Sequence, residues 1–185
     1  DQWSNYRPYA ELRKYRNPAN AEEAERYPNV DWVDTMLKDA AFSYNASVNV
    51  SGGTRFVKYF AAVDYAHEGD MYKDVKSNRG YNPSFGYDRI NVRSNLDFNL
   101  TNTTKLRVNL SGSHAVKKAT QAQYEYLVWG AFYGLGPDSY IPQYSNGVYG
   151  YYQPNPSHSA TNPLEYLATQ GIGFTTTDRL NTDFT

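Results

Sequence analysis

Cysteine is absent from the 185-residue chain, and so are long hydrophobic runs and a surplus of charge of one sign. Without cysteine there is no disulfide framework, no cysteine nucleophile and no thiolate metal site. No stretch approaches the ~18 apolar residues of a transmembrane helix. The 18 lysine and arginine residues are balanced by 19 aspartate and glutamate residues, which argues against a general nucleic-acid binder.

Patterns of catalytic and metal-binding residues are missing as well. The serines lie in no Gly-x-Ser-x-Gly elbow, and no histidine is placed to act as their base. His67, His114 and His158 lack the spacing of metal ligands. Asp70 and Asp74 lack the residue order of a calcium-binding loop. We therefore expect neither an enzyme nor a metal or cofactor site.

The dominant pattern that is present is strict alternation of apolar and polar residues. In residues 42–51 the even positions are apolar and the odd positions are serine or asparagine. Residues 54–66, 87–100 and 104–117 repeat the pattern, and residues 172–185 repeat it more weakly. A period of two is typical of β-strands whose two faces meet different surroundings. The sequence therefore predicts five antiparallel strands in an all-β fold.

The connections between these strands alternate in length. Gly52-Gly53 and residues 101–103 are short, whereas residues 67–86 and 118–171 are long. The first 40 residues show no alternation and are expected to form another loop region. Capping signals and apolar periodicity predict short helices inside these irregular regions, near residues 9–15, 32–37, 120–133 and 163–170.

The length of the strands indicates whether the apolar face contacts lipid or a protein core. Alternation extends over roughly ten to fourteen residues, whereas soluble strands average about five or six and ~9 to 11 tilted residues cross a bilayer. Short turns on one side and long loops on the other are typical of membrane barrels. The opposite face is too charged for a packed core, and its charged residues are predicted to face a lumen: Lys58, Arg89, Arg93, Asp97 and Arg107. A secreted β-sandwich with this face in water is the alternative.

Several motifs in chain order carry a family resemblance. They are Asp31-Trp32 after Pro28-Asn29-Val30, the Val50-Ser51-Gly52-Gly53 segment, Gly69-Asp70-Met71-Tyr72, and the alternating Tyr87-x-Arg89-x-Asn91-x-Arg93-x-Asn95-Leu96-Asp97-Phe98. With these motifs the chain closely resembles SusC/RagA-type TonB-dependent outer-membrane transporters, strongly over residues 27–110 and more loosely to residue 185.

The resemblance implies a fragment of a 22-stranded transmembrane β-barrel in a bacterial outer membrane. It implies import of glycans, or sometimes peptides, energised by TonB, with a SusD-like surface lipoprotein as partner and membrane lipid around the barrel. The family's plug region, through which TonB would act, and most of its strands do not occur in these residues. Because the chain begins at Asp1 and stops within a strand, we expect it to be an excerpt of a longer protein.

Aromatic residues crowd the longest loop, in a chain with 19 tyrosines. Amphipathic rings suit wet recognition surfaces, so these rings are candidates for contact with a sugar or a lipoprotein lid: Trp129, Tyr133, Tyr140, Tyr144, Tyr149, Tyr151 and Tyr152. Alternatively, they pack a small core within the loop. The same rings leave open a second function, a secreted carbohydrate-binding module.

Parity and turn chemistry predict how the strands pair. Directly opposed residues must lie on the same face, and a turn at Gly52-Gly53 then sets Ala46 opposite Tyr59. In the hairpin around residues 101–103, the register that sets Asp97 opposite Arg107 is preferred, because opposite charges across a strand pair attract. We expect the short turns on the periplasmic side and the long loops outside the cell.

Overall fold

The computed structural model describes residues 7–75, 77, 79–120, 128–130, 133–151 and 162–185. Five strands form one sheet in which each strand neighbours the next along the chain. The strands are β1 (Ser43–Gly53), β2 (Val57–Glu68), β3 (Gly86–Asn99), β4 (Lys105–Thr120) and β5 (Ile172–Phe184). This antiparallel sheet confirms the predicted all-β class.

Short helices lie outside the sheet: α1 (Tyr9–Arg16), α2 (Ala21–Arg26), α3 (Trp32–Met36) and α4 (Pro163–Thr169). The helix expected at residues 120–133 falls mostly outside the described residues, and Thr120 itself ends β4. In the described part of the chain, no helix is both long enough and apolar enough to cross a membrane.

The chain divides into two compact units. The loop unit takes residues 1–39, 72–83 and 120–172, and the sheet unit takes residues 40–71, 84–119 and 173–185. The described core of the loop unit consists of buried side chains from α3, α4 and the long loop: Trp32, Met36, Val128, Tyr140 and Leu167. Two of them, Trp32 and Tyr140, pack edge to face with ring centroids 5.5 Å apart.

The register predicted for the first hairpin is wrong. Ala46 lies opposite Tyr65, six residues along β2 from the expected Tyr59. The turn occupies Thr54 to Val57 instead of Gly52-Gly53, and the Thr54 amide donates to the Val57 carbonyl at 2.7 Å. The Thr54 hydroxyl also accepts hydrogen bonds from the amides of Phe56 and Val57. A threonine side chain that satisfies two turn amides explains why the chain reverses here.

Gly52 serves a different purpose from the one predicted. It lies opposite Tyr59 within the β1–β2 ladder, and a Cβ added at Gly52 would lie 2.5 Å from the Tyr59 hydroxyl oxygen. The absent side chain therefore makes room for the Tyr59 ring across the ladder. Gly52 therefore provides space for an aromatic ring, and the double glycine does not form the reversal of the chain.

The register predicted for the second hairpin is confirmed. Asp97 lies directly opposite Arg107, and the same register holds from Gly86 opposite Lys118 to Asn99 opposite Lys105. Thr101 closes the connection, since its hydroxyl accepts from the amides of Thr103 and Thr104. On the far side of β4, Arg107 exchanges both backbone hydrogen bonds with Thr185, at 2.7 and 3.0 Å.

The two faces of the sheet differ in chemistry over most of its length, as alternation predicts. One cross-strand row sets Val48 beside Val63 and Val63 beside Val92. These side chains are exposed, at 74% for Val48 and 47% for Val92, and Leu180 on β5 reaches 78%. The sheet therefore presents a broad apolar face to its surroundings.

Near the end of the sheet from which the long connections depart, polar groups enter this apolar face. The Tyr65 hydroxyl donates to Asp88 at 2.5 Å, and His67 Nδ1 lies 2.8 Å from the same carboxylate oxygen. Farther across the sheet, His114 Nδ1 lies 2.6 Å from Asp178 Oδ1. The face is thus apolar over most of its length and polar towards one end.

Candidate functional site

Charged side chains gather on the face of the sheet opposite the apolar one. Lys58 lies opposite Asp97, and Asp97 lies opposite Arg107, so one row crosses β2, β3 and β4. Arg89 and Arg93 share this face, because they are an even number of residues from Asp97 along β3. The five predicted lumen-facing residues therefore lie on one face of the sheet.

Two members of this group form a direct ion pair. Arg107 Nε donates to Asp97 Oδ1 at 2.9 Å, and both side chains are at least half exposed. Lys58 and Lys105 line the same groove as this pair, near the end of the sheet that carries the short turns. The charged side chains that line this groove are thus three cations, Lys58, Lys105 and Arg107, and one carboxylate, that of Asp97.

A second candidate surface consists of aromatic rings in the loop unit. The rings of Trp129 and Tyr133 stack with centroids 6.1 Å apart and planes inclined by 26°. Tyr72 lies beside Trp129 at 5.7 Å, and Tyr133 is 79% exposed. An exposed ring stacked on a second ring offers a flat apolar face with polar edges, which suits contact with a sugar ring.

Tyr140 lies elsewhere, in the core of the loop unit, with 3% of its surface exposed. Burial raises the pKa of the Tyr140 hydroxyl above its ordinary value, and the nearby charge of Glu165 raises it further. This placement agrees with the packing alternative for Tyr140 and leaves little of the ring for a ligand.

The remaining aromatic candidates surround a small hairpin. Gln143 pairs with Tyr149, and the Tyr144 amide donates to the Val148 carbonyl at 2.8 Å. Tyr144 and Tyr149 are partly buried, whereas Tyr151 is 53% exposed. Burial, followed by the charge of Glu165, raises the pKa of Tyr149. Tyr152 lies outside the described residues, so its contact role stays a prediction.

Asn162 holds this hairpin to α4, and it was not among the sequence candidates. Its side-chain oxygen accepts from the amides of Leu164 and Glu165. Its side-chain amide donates to the carbonyls of Pro142 and Gly150, at 2.8 and 2.9 Å. The sequence indicated the helix cap through the Asn162–Glu165 spacing, but no sequence signal pointed to the two carbonyls.

Among the described residues, no three histidine or acidic side chains come together in a group that could hold a metal ion. The structure therefore offers two candidate surfaces, the charged face of the sheet and the aromatic surface of the loop unit. Tyr72 was missed as a member of the second surface, although it belongs to the Gly69-Asp70-Met71-Tyr72 motif.

No protein-family model matches the chain. The chain is similar to the TonB-dependent receptor P26 of Formosa agariphila, with 33% identity over 87 residues. The similar segment covers 46% of this chain and 8% of that receptor. The chain thus corresponds to a small part of the length of the relative that it matches.

Proposed function

We propose that this chain is part of the barrel wall of an outer-membrane importer of the SusC/RagA type, energised by TonB. The observation that carries the proposal is the exposed apolar face shared by five long antiparallel strands. The similarity to a TonB-dependent receptor supports the TonB-dependent part of this proposal. In the proposed importer the apolar face contacts lipid and the charged face lines the lumen.

The free energy of apolar surface in water favours contact of this face with lipid. Contiguous apolar patches above a few hundred Å² are rare on soluble monomers, and each Å² of apolar surface removed from water contributes about 25 cal/mol. The strands contain 11 to 16 residues, which exceeds the ~9 to 11 tilted residues that cross a bilayer. Closure into a barrel satisfies the backbone of every strand inside the membrane.

The connections orient the wall in the proposed membrane. The reversals at Thr54–Val57 and Thr101–Thr104 lie at one end of the sheet. The connections after β2 and β4 leave from the other end and are much longer. Outer-membrane barrels have short periplasmic turns and long extracellular loops. The loop unit is accordingly assigned to the cell surface.

The proposed cargo is a glycan or another large nutrient, and the proposed partner is a SusD-like lipoprotein. The Trp129–Tyr133 stack, in which Tyr133 is exposed, supports recognition of sugar rings at the surface. The same stack also favours the second candidate function, a secreted carbohydrate-binding module. The two candidates differ in what the apolar face meets.

Single-cysteine labelling tests the proposal, and these 185 residues contain no cysteine of their own. Asn91→Cys and Val92→Cys are a matched pair, because the two residues are adjacent in β3 and lie on opposite faces. In outer-membrane vesicles, a charged maleimide should label Asn91→Cys and leave Val92→Cys unlabelled. Equal labelling of both variants, with the protein in the soluble fraction, would support the secreted module instead.

Uptake tests the energised step separately. Cells that express the complete receptor should accumulate labelled oligosaccharide, and accumulation should stop when TonB is deleted. Surface binding should persist in the TonB-deleted cells, because recognition does not need energy. Uptake that is unchanged without TonB would contradict the proposal.

A further inference from the structure

Three arginines on the charged face of the sheet line one groove. Arg89 and Arg93 project from β3 and Arg179 from β5, and the groove has a volume of about 340 Å³. Its other polar lining includes two amides and two hydroxyls: Asn91, Asn181, Ser111 and Ser113. All of these residues belong to the sheet unit. The groove is separate from the Asp97–Arg107 pair near the short turns.

Small neighbours leave the guanidinium groups accessible. Arg93 lies between Ala62 and Ser111 in the cross-strand rows, and Arg89 lies between Ala66 and Ala115. None of these four neighbours carries a charge or a long side chain. The long arginine side chains therefore rise above a floor of short ones, which produces the groove.

The positive charge of the three arginines in this groove is not neutralised by ion pairs with the residues that the structure describes. Among the residues that the structure describes, Arg89, Arg93 and Arg179 form no ion pair. Asp64 is the single carboxylate in the lining. It lies opposite Asn91 and accepts a hydrogen bond from the Ser47 hydroxyl at 2.6 Å. Arg107, in contrast, forms an ion pair with Asp97 on the same face of the sheet.

The spacing of the arginines favours a ligand larger than a single ion. Four residues along a strand separate the Cα atoms of Arg89 and Arg93 by roughly 13 Å, and adjacent strands lie about 4.8 Å apart. Guanidinium groups bind carboxylate and sulfate oxygens in bidentate geometry. The amides and hydroxyls between them match the hydroxyl groups of a sugar.

We propose that this groove binds an acidic sugar unit, through its carboxylate or sulfate group, as the substrate passes along the lumen. This inference rests on the proposed function, since it takes the charged face to be the wall of a transport path. It narrows the substrate from glycans in general to glycans with anionic groups. A positive wall with nearby hydroxyl partners attracts such a chain and also slows its escape.

Binding to the complete receptor in detergent tests the proposal. The probes are D-glucuronate, D-glucose 6-sulfate and neutral D-glucose, titrated by calorimetry. Both acidic sugars, or one of them, should bind at least about tenfold more tightly than glucose, because guanidinium–oxyanion bonds are charge-assisted. The result identifies carboxylate, sulfate or both as the preferred group. Equal affinity for all three sugars would overturn the proposal.

Substitutions assign the effect to the groove. The triple variant R89Q/R93Q/R179Q should lose about tenfold or more in affinity for the acidic sugar, as expected when charge-assisted bonds are removed. The matched control R13Q/R16Q/R26Q removes three exposed arginines of α1 and α2 in the loop unit, outside the groove, and should change the affinity less than about twofold. An equal loss in both triple variants would attribute binding to overall charge and overturn the site.

Two further measurements distinguish loss of the binding groove from loss of charge and from misfolding. The variant R89K/R93K/R179K retains the charge but not the bidentate geometry, and it should fall between wild type and the glutamine variant. Heat-modifiable electrophoretic mobility reports whether each variant has folded. If an acidic protein segment fills the groove, wild type will not bind the acidic sugars, and this result overturns the inference. TonB-dependent uptake of neutral glycans would then leave the proposed function standing.

Discussion

Arg107 on β4 donates a hydrogen bond from Nε to Oδ1 of Asp97 on β3, across a register in which the two residues lie directly opposite each other. This contact lies on the charged face of the second hairpin. Because both side chains are at least half exposed, solvent and salt screen their attraction. The pair is therefore a marker of register more than a source of stability.

A double-mutant cycle should measure a small coupling between Asp97 and Arg107. For D97N, R107Q and the double variant, we expect a coupling of about 0.3–1 kcal/mol in the free energy of unfolding. Urea titrations in micelles measure it, and added salt should reduce it. A coupling that does not change with salt would contradict an exposed ion pair.

Arginine substitutions should distinguish the two faces of the sheet. Arginine at Val48 or Val92 should cost about 2–4 kcal/mol if these residues lie near the bilayer midplane. Asn95 and Ser111 lie on the opposite face, so arginine there should cost little. At Val57 and Val108, which lie nearer the short turns, the cost should fall with depth. Folding yield into lipid vesicles measures the effect, and equal losses on both faces would refute the assignment.

Most of the sheet could be predicted from the alternation of apolar and polar residues and from the attraction between opposite charges. Parity placed Lys58, Asp97 and Arg107 on one face, and attraction between Asp97 and Arg107 selected the register that the structure has. The predicted register of the first hairpin was wrong because two turn signals occur close together in the sequence. Gly52-Gly53 is a strong turn pattern, but the Thr54 hydroxyl satisfies the amides of the true turn, and Gly52 accommodates the Tyr59 ring.

Tertiary packing explains why the candidate site was harder to predict. Tyr133 and Tyr140 have the same side chain in the same loop, yet one is 79% exposed and the other 3%. The exposure of Tyr140 depends on Trp32, which is more than a hundred residues away in sequence. Helix α2 was missed for a different reason, because the Asn20–Glu23 capping signal was present but the segment has no apolar stripe.

Asn162 should contribute strongly to the stability of the loop unit. Asn162→Ala removes a helix cap, which costs about 1 kcal/mol. It also removes the side-chain donor from the Pro142 and Gly150 carbonyls. Pro142 still accepts from the Gly150 amide at 3.2 Å, so the cost of about 1–3 kcal/mol for a buried unsatisfied group applies to the Gly150 carbonyl. Limited proteolysis should show earlier cleavage in residues 140–150.

Asn162→Asp provides the control for the two roles of this residue. The carboxylate can still cap α4, but it cannot donate to the two carbonyls. We therefore expect Asn162→Asp to be destabilised at least as much as Asn162→Ala. If Asn162→Asp behaved as wild type, the helix cap alone would account for the role of Asn162.

The buried hydroxyl of Tyr140 should make the stability of the loop unit depend on alkaline pH. Burial raises the pKa of Tyr140 in the folded protein, whereas the unfolded residue titrates near pH ~10. The stabilising contribution is therefore complete below about pH 10 and declines as pH rises towards the folded-state pKa. Denaturation midpoints between pH ~9 and ~11 should fall more in wild type than in Tyr140→Phe. Parallel curves would contradict the assignment to Tyr140.

The Trp129–Tyr133 stack should contribute to recognition of neutral sugars. Tyr133→Ala should weaken oligosaccharide binding by about 0.5–1.5 kcal/mol, and Trp129→Ala should weaken it further because the ring beneath is removed. Tyr9 is a matched control, since it is an exposed tyrosine of the same unit, at 78%. Equal effects of Tyr9→Ala and Tyr133→Ala would show that the stack has no special role.

The polar groups that enter the apolar face limit how deeply the proposed barrel sits in its membrane. β4 has 16 residues, which extend ~54 Å at ~3.4 Å per residue, or roughly 40 Å upright after a tilt of about 40°, against an apolar band of about 25 Å. His67 with Asp88 and His114 with Asp178 show that the excess lies at the end where the long connections begin. In the proposed barrel, the end of β4 therefore extends beyond the hydrocarbon, and the long connection after it begins above the membrane surface.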